Sequence, residues 1–142
     1  MAVVTAEQMI RDYFSVHNTH RIDDIMAYYT DDISFTCEAM HAVSHGKAEV
    51  KTMLRGMFAA FPDLIIEVKS AFASGNQAAY ELVLSGTHKG DFPGLPATGK
   101  RFSVRGVTVA ELQNGKLKTE RLYWNLGAFL QQVGLMPGSP KQ

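Results

Sequence analysis

The sequence contains a single cysteine, and it lacks both an excess of one sign of charge and a long hydrophobic run. Because Cys37 has no second cysteine to pair with, an internal disulfide is excluded. Cys37 ends the segment ISFTC, whose alternation predicts a short strand with a buried thiol. An unpaired thiol is typical of a reducing compartment, so we expect a cytoplasmic protein.

The 14 basic and 14 acidic residues cancel, and neither sign forms a block. Proteins that bind nucleic acid or anionic membranes usually carry a basic patch, so both classes of partner are excluded. No stretch of the sequence is long and apolar enough to span a bilayer, and the amino-terminal MAVVTAEQ lacks the regions of a signal peptide. This composition favours a small, neutral or weakly charged partner.

An apolar content of 46% in 142 residues is enough for one hydrophobic core. We predict a single domain over residues 1–137 and a flexible tail over residues 138–142. Helical periodicity dominates the first part of the chain, and a period of two dominates the second. That order is typical of an α+β domain, in which a curved antiparallel sheet wraps around helices packed on one face.

Local signals mark the boundaries of the predicted elements. Thr5 and Gln8 form a capping box, Pro62 ends the third helix, and Asn114-Gly115 is a strong hairpin turn. The predicted helices span residues 5–17, 22–29, 46–60 and 126–133, and the predicted strands span residues 33–37, 64–72, 78–89, 101–112 and 116–125.

The segment GTHKGDFPGLPATG, residues 86–99, places a histidine at a strand end and follows it with a loop rich in glycine and proline. Such a loop can cover the mouth of a pocket, with Phe92 and Leu95 as its apolar surface. Together with AFPDL at 60–64 and YWNLGAFLQQVGL at 123–135, this pattern resembles the SnoaL-like polyketide cyclases, a branch of the nuclear transport factor 2-like superfamily. The resemblance extends from about residue 5 to residue 137.

The resemblance implies a cone-shaped, cystatin-like fold, in which the curved sheet wraps around three N-terminal helices and leaves an apolar pocket. It implies that a small carbonyl-bearing or aromatic metabolite binds there, with aldol-type cyclisation as the nearest activity. It also implies a homodimer formed through the convex sheet face that carries Glu81 and Val83.

His88 is the main candidate for chemistry, because imidazole can take and give a proton near neutral pH. The resemblance implies an active-site histidine at this position. The alternative is a structural role, in which the ring binds a loop carbonyl and fixes residues 90–99. Strand alternation assigns His88 with Leu84, and Asn125 with Tyr123, to the concave face, although a bulge would reverse either assignment.

Asn125 stands where the resemblance implies an aspartate acting as general acid and base, and an amide cannot carry a proton at neutral pH. Three interpretations stay open. His88 acts as the base while Asn125 binds an oxyanion; a carboxylate from Asp31, Asp32, Glu38 or Asp91 replaces the missing group; or the pocket only binds a ligand or supports another reaction, such as cofactor-free hydroxylation.

Aromatic and aliphatic side chains are the candidates for ligand contact. We predict such contacts for Phe14, Phe35, Leu84, Phe92 and Tyr123, although most aromatic residues at these spacings belong to the core. Arg105 and Arg121 lie within predicted strands, so we expect each to pair with Glu81, Glu111 or Glu120.

Metal and cofactor sites are not predicted. Glu38, His41 and His45 lie in a segment without a sustained helical pattern, which is weak support for a metal site. The sequence contains no GxSxG elbow, Walker loop or dinucleotide fingerprint, so we expect no cofactor.

Overall fold

The computed structural model describes residues 5–136, so the predicted tail at 138–142 and the predicted domain end at 137 lie outside the described residues. No helix within this range is long and apolar enough to cross a membrane. The elements are, in order, α1 (Ala6–His17), α2 (Ile22–Met26), β1 (Tyr29–Cys37), a 3-10 turn (Glu38–Met40), β2 (Ala42–His45), α3 (Gly46–Ala60), β3 (Ile65–Ser74), β4 (Gln77–Thr87), β5 (Arg101–Gln113), β6 (Lys116–Trp124) and α4 (Leu126–Val133).

Six strands form one sheet in the order β2-β1-β6-β5-β4-β3. Four of the five neighbouring pairs in this described sheet are antiparallel, and β1 runs parallel to β6. A parallel pair requires a long crossover connection, which β2, α3 and the strands β3 to β5 provide here. The predicted α+β class is confirmed, with a mixed sheet in place of a purely antiparallel one.

The predicted start of α1 and the β5–β6 hairpin are confirmed in detail. Gln8 donates its backbone N–H to Oγ1 of Thr5 at 3.1 Å, which satisfies one of the free donors at the start of α1. In the hairpin, both turn residues have positive φ, 52° at Asn114 and 74° at Gly115. This is the geometry that an Asn-Gly turn favours, because its twist matches that of the two strands.

The core lies between one face of the sheet and the helices α1, α3 and α4. Strand β4 illustrates the alternation, since Tyr80, Leu82 and Leu84 are buried while Glu81 is exposed. Full burial of a side chain such as Leu54 contributes about 1.5–3 kcal/mol. Because Tyr80, Leu82 and Leu84 face the core, the predicted inner face of β4 is correct.

One predicted helix boundary was wrong, and one strand was not predicted. The helix predicted over 22–29 ends at Met26, because Tyr29 pairs with Leu117 in the ladder between β1 and β6. Strand β2 was not predicted, since its four residues are held only by pairing with β1 and show no apolar alternation of their own. In both cases a tertiary contact outweighs the local pattern.

The predicted pairing of the strand arginines was also wrong. Arg105 and Arg121 are exposed, and neither forms an ion pair with any residue in the range 5–136. Glu120 points to the opposite side of β6 and is buried in the core. An exposed arginine remains hydrated and needs no partner.

Candidate functional site

An apolar cavity of about 410 Å³ lies on the inner side of the sheet, between the strands, α3, α4 and the loop that follows β4. Strand alternation aims Leu84 and Leu122 into it, and Thr52 and Gly56 stand at its exposed rim. The residues that line the cavity are Phe35, Cys37, Met40, Ala42, Thr52, Met53, Gly56, Met57, Phe61, Leu64, Leu84, Phe92, Pro93, Phe102, Val104, Leu122, Trp124 and Phe129.

The cavity wall carries almost no polarity. None of the lining residues in the described range is charged, and the side chains able to form hydrogen bonds are Thr52, Cys37 and Trp124, with weak acceptors at the methionine sulfurs. The indole N–H of Trp124 already donates to Sγ of Cys37 at 3.2 Å. A charged group would lose its hydration here without a partner, so the wall suits a neutral, flat and apolar ligand.

His88 lies behind this wall and is fully buried. Its ring centroid is 5.7 Å from that of Phe61 and 5.6 Å from that of Phe129, and both phenylalanines line the cavity. Neither ring nitrogen of His88 has a hydrogen-bond partner among the described residues. Buried polar atoms nearly always have hydrogen-bond partners, so the two unpartnered ring nitrogens of His88 are unusual.

The backbone around His88 is held on both sides. His88 N–H donates to the carbonyl of Lys100, and its own carbonyl accepts from Gly99 N–H. Beyond it, the N–H groups of Lys89 and Gly90 both donate to the carbonyl of Ala60. A Cβ on Gly90 would lie 2.5 Å from the carbonyl oxygen of Ala59, so this approach requires glycine.

Three of the predicted ligand contacts, Phe35, Leu84 and Phe92, lie together at the cavity. Phe14 does not line it, and its predicted position needs correction. Its ring packs against Tyr13 and Tyr80, at centroid distances of 4.7 and 5.6 Å, in the core between α1 and β4. A residue on α1 therefore fills the interior of the cone, away from the cavity.

The assignment of Tyr123 and Asn125 to the concave face is wrong. The pairing of β5 with β6 shifts register between Glu111 and Leu112, and beyond that irregularity Leu122 and Trp124 face inward. Tyr123 is 46% exposed on the outer face. A bulge adds one residue to a strand and reverses every side chain that follows it.

Asn125 follows β6 and serves as the N-cap of α4, where its Oδ1 accepts the backbone N–H of Ala128 at 2.9 Å. It lines a groove on the outer side of the sheet, together with Tyr123 and Arg105. His88 lies on the inner side, so the two side chains do not converge on one cavity. The predicted partnership of imidazole and amide is therefore not formed.

The carboxylates considered as replacements are also absent from the wall. Asp31, Asp32, Glu38 and Asp91 are not among the lining residues, and Asp91 instead accepts the backbone N–H of Ala97 at 2.9 Å. Within residues 5–136, no group of three or more His, Cys, Asp or Glu side chains is arranged to hold a metal ion.

Sequence reasoning missed a buried cluster of one carboxyl group and three tyrosines in the core. Oε2 of Glu120 accepts a hydrogen bond from Tyr80, and its Oε1 accepts one from Tyr13, whose hydroxyl also contacts that of Tyr29. Burial raises the pKa of Glu120 to about 7, although the two tyrosine hydrogen bonds act to lower it. None of these four residues lines the cavity.

Sequence reasoning also missed Leu122 and Trp124 as wall residues. Their apolar character, beside the polar Arg121 and Asn125, was the available signal for the inner face of β6. It was masked because Glu120 shares that face, and an acidic residue ordinarily indicates the solvent side.

Comparison with known proteins identifies a family for this chain. A sequence model described as SnoaL-like polyketide cyclase matches residues 7–133. The nogalonic acid methyl ester cyclase of Streptomyces nogalater is 29% identical over 122 residues, which cover 84% of this chain and 90% of that protein.

Two crystal structures show the same architecture. AclR from Streptomyces galilaeus, a candidate hydroxylase, superposes with a TM-score of 0.79 at 26% identity, covering 96% of this chain and 89% of AclR. A protein of ketosteroid isomerase-like fold from Catenulispora acidiphila superposes with a TM-score of 0.82 at 16% identity, covering 96% of this chain and all of that one. The predicted nuclear transport factor 2-like fold is confirmed, and because the family match spans nearly the whole described chain, this protein belongs to the SnoaL-like polyketide cyclase family.

Proposed function

We propose that this chain binds a flat, carbonyl-bearing or aromatic polyketide-type metabolite in the apolar cavity and cyclises it by an intramolecular aldol reaction, with His88 as the proton carrier. The proposal covers a single domain over residues 1–137. The observation that carries it is the juxtaposition of an uncharged cavity with a buried imidazole whose two nitrogens have no partner among the described residues. A relative is named as a cyclase of nogalonic acid methyl ester, and an ester is an uncharged group that such a cavity suits.

The proposed step is an isomerisation in which atoms and electrons balance. The unprotonated ring nitrogen of His88 takes a proton from a carbon between two carbonyl groups, and the resulting enolate carbon forms a bond to a third carbonyl carbon of the same molecule. The proton then passes from the imidazolium to the new alkoxide, which becomes a hydroxyl group. Proton transfer of this kind needs no cofactor.

The depth of His88 sets a requirement on this mechanism. Because the ring lies behind Phe61 and Phe129, one of these side chains has to shift when the ligand enters. Ligand binding should therefore expose a nitrogen that is closed off in the free protein.

A second candidate function, non-catalytic binding of the same class of metabolite, has its own supporting observation. No carboxylate lines the cavity within the described residues, and none forms a hydrogen bond to His88 or Asn125. A binding protein needs only the shape and apolarity of the cavity. A reaction needs His88 as well.

The two candidates separate in one assay with nogalonic acid methyl ester as the probe. Binding is measured by quenching of Trp124, the single tryptophan, and turnover by chromatographic detection of the cyclised isomer. Turnover that falls about 10²- to 10⁴-fold in His88→Gln supports the enzyme. The matched control is His45→Gln, an exposed histidine away from the cavity, which should retain full activity.

Binding without turnover in the unmodified protein would favour the second candidate function. Absence of both binding and turnover with this probe, and with the neutral 1,8-dihydroxyanthraquinone, would contradict both candidates.

We further propose a cytoplasmic homodimer, formed through the outer face of the sheet. A groove of about 460 Å³ runs along this face, where Val107 is 37% exposed and Tyr123 is 46% exposed. Glu81 and Arg105 both line this groove, so a self-complementary contact about a two-fold axis can bring opposite charges together. Sedimentation should give a dimer for the unmodified chain and a monomer for Tyr123→Lys; a monomer for both would refute the interface.

A further inference from the structure

We infer that Asp63 is a positioning residue that sets the orientation of the His88 imidazole by clamping the backbone one residue before it. This inference rests on the proposed function of His88 as the proton carrier. Asp63 belongs to the turn between α3 and β3, and it is far from His88 in the sequence.

Asp63 binds both the backbone and the side chain of Thr87. Its Oδ1 accepts the backbone N–H of Thr87, and its Oδ2 accepts the Thr87 hydroxyl, each at 2.7 Å. Nη1 of Arg101 donates to the same Oδ2 at 3.1 Å and to Oγ1 of Thr87 at 3.3 Å. Two short hydrogen bonds that one carboxylate accepts from Thr87 fix both the backbone and the rotamer of Thr87.

The two glycines that flank His88 bring the same segment close to the turn. A Cβ on Gly86 would lie 3.2 Å from Oδ1 of Asp63, and a Cβ on Gly90 would lie 2.5 Å from the carbonyl oxygen of Ala59. The chain on both sides of His88 therefore packs against residues 59–64. Within residues 59–64, the Asp63 side chain forms the hydrogen bonds to the segment that carries His88.

His88 depends on this clamp because its ring has no hydrogen bond of its own in the described part of the chain. An imidazole is usually oriented by a partner on one ring nitrogen, which also selects the tautomer. Here the backbone position and side-chain packing, including that of Phe61 and Phe129, orient it. A shift of the Thr87 backbone would move the ring relative to the cavity, and small misplacements of a reacting group are costly.

The clamp is present at neutral pH. Partial desolvation acts to raise the pKa of Asp63, but the hydrogen bonds from Thr87 and the nearby Arg101 charge together hold it below its ordinary value. The carboxylate is therefore ionised through the range in which an imidazole titrates.

The test uses Asp63→Ala, Asp63→Asn and Thr87→Val, with Asp23→Asn as the matched control. Asp23 forms an ion pair with Lys51 at 2.8 Å on the surface, so its change removes a comparable interaction elsewhere. The first readout is the ring signal of His88 in a ¹H–¹³C correlation spectrum, assigned among the five histidines by its loss in His88→Gln. The second readout is turnover of nogalonic acid methyl ester.

We expect the His88 signal to shift and broaden in Asp63→Ala, with kcat reduced about 10- to 100-fold and KM changed less than about threefold. Asp63→Asn keeps the acceptor for the Thr87 N–H and should recover part of the loss. Thr87→Val removes the hydroxyl's bonds to Asp63 and Arg101 but keeps the backbone bond, and it should lie between the unmodified protein and Asp63→Ala. The control should match the unmodified protein in both readouts.

An unchanged His88 signal in Asp63→Ala, or in Asp63→Asn and Thr87→Val if the alanine variant does not fold, would overturn the inference. Failure of the proposed function gives a different result. In that case His88→Gln retains full turnover, or no turnover exists, while the His88 signal still reports whether Asp63 positions the ring.

Discussion

Tyr80 donates a hydrogen bond to Oε2 of Glu120 at 2.5 Å, in a part of the core where neither side chain reaches solvent. The carboxyl group comes from β6 and the hydroxyl from β4, two strands separated by β5. Because burial raises the pKa of Glu120 to about 7, the group changes its charge within the physiological range.

The first prediction is that the stability contributed by Glu120 is lost as the pH rises from about 5 to 8. A carboxyl whose folded pKa lies above its unfolded value of 4.5 contributes stability below pH 4.5, and this contribution is lost as the pH rises through about 7. We expect the difference in the free energy of unfolding between the unmodified protein and Glu120→Gln to fall by on the order of 3 kcal/mol between pH 5 and pH 8. Urea denaturation of both proteins across this range gives that difference, and parallel stability profiles of the two proteins would assign the effect elsewhere.

The second prediction concerns the acid side and His17. Burial, and secondarily the charge of His20, lower the pKa of His17 from 6.5 to about 3. The contribution of neutral His17 to stability is therefore fully present above pH 6.5 and is lost as the pH falls towards 3. Between these values the histidine binds a proton in the unfolded chain but not in the folded chain. His17→Leu should lessen the loss of stability between pH 6.5 and pH 5 by about 2 kcal/mol in the same denaturation assay. An equal loss of stability between pH 6.5 and pH 5 in both proteins would show that His17 is protonated in the folded protein.

The third prediction separates cavity access from stability at Gly56. This residue stands at the exposed rim of the cavity on α3, and a Cβ there would meet no atom within 4 Å. Gly56→Ala should therefore raise stability by about 1 kcal/mol, because glycine weakens a helix interior. Gly56→Phe should place a ring across the entrance and weaken binding of 1,8-dihydroxyanthraquinone by at least about tenfold. Equal affinity in the two variants, measured by fluorescence titration, would show that the ligand enters by another route.

The fourth prediction is that Asn125 acts as a helix cap and takes no part in chemistry. Asn125→Ala should cost about 1 kcal/mol of stability, because Ala128 N–H loses its acceptor, and should leave ligand affinity unchanged. Asn125→Asp retains the cap and should create no new turnover of nogalonic acid methyl ester. Activity that appears only in the aspartate variant would show that this position reaches the substrate after all.

The element pattern was largely readable from the sequence. The apolar spacing of α1 and α3, the cap at Thr5 and the turn at Asn114-Gly115 are local signals, and the structure confirms each of them. The inner face of β4 was readable as well, since its pairing with β5 runs without interruption from Gln77 to Thr87. Alternation predicts a face correctly when no residue is inserted along the strand.

The sequence by itself determined the fold class, the presence of a loop after β4 that covers the cavity, and the inward position of Leu84. These features were readable because periodicity, caps and turns act over a few residues. The tertiary structure decided which side chains of β6 face inward, the position of Asn125 outside the inner cavity, and the burial of Glu120 among tyrosines. Each of these depends on how β6 pairs with β5, and a shift in that pairing is set by contacts between residues of two strands that neither strand's own pattern contains.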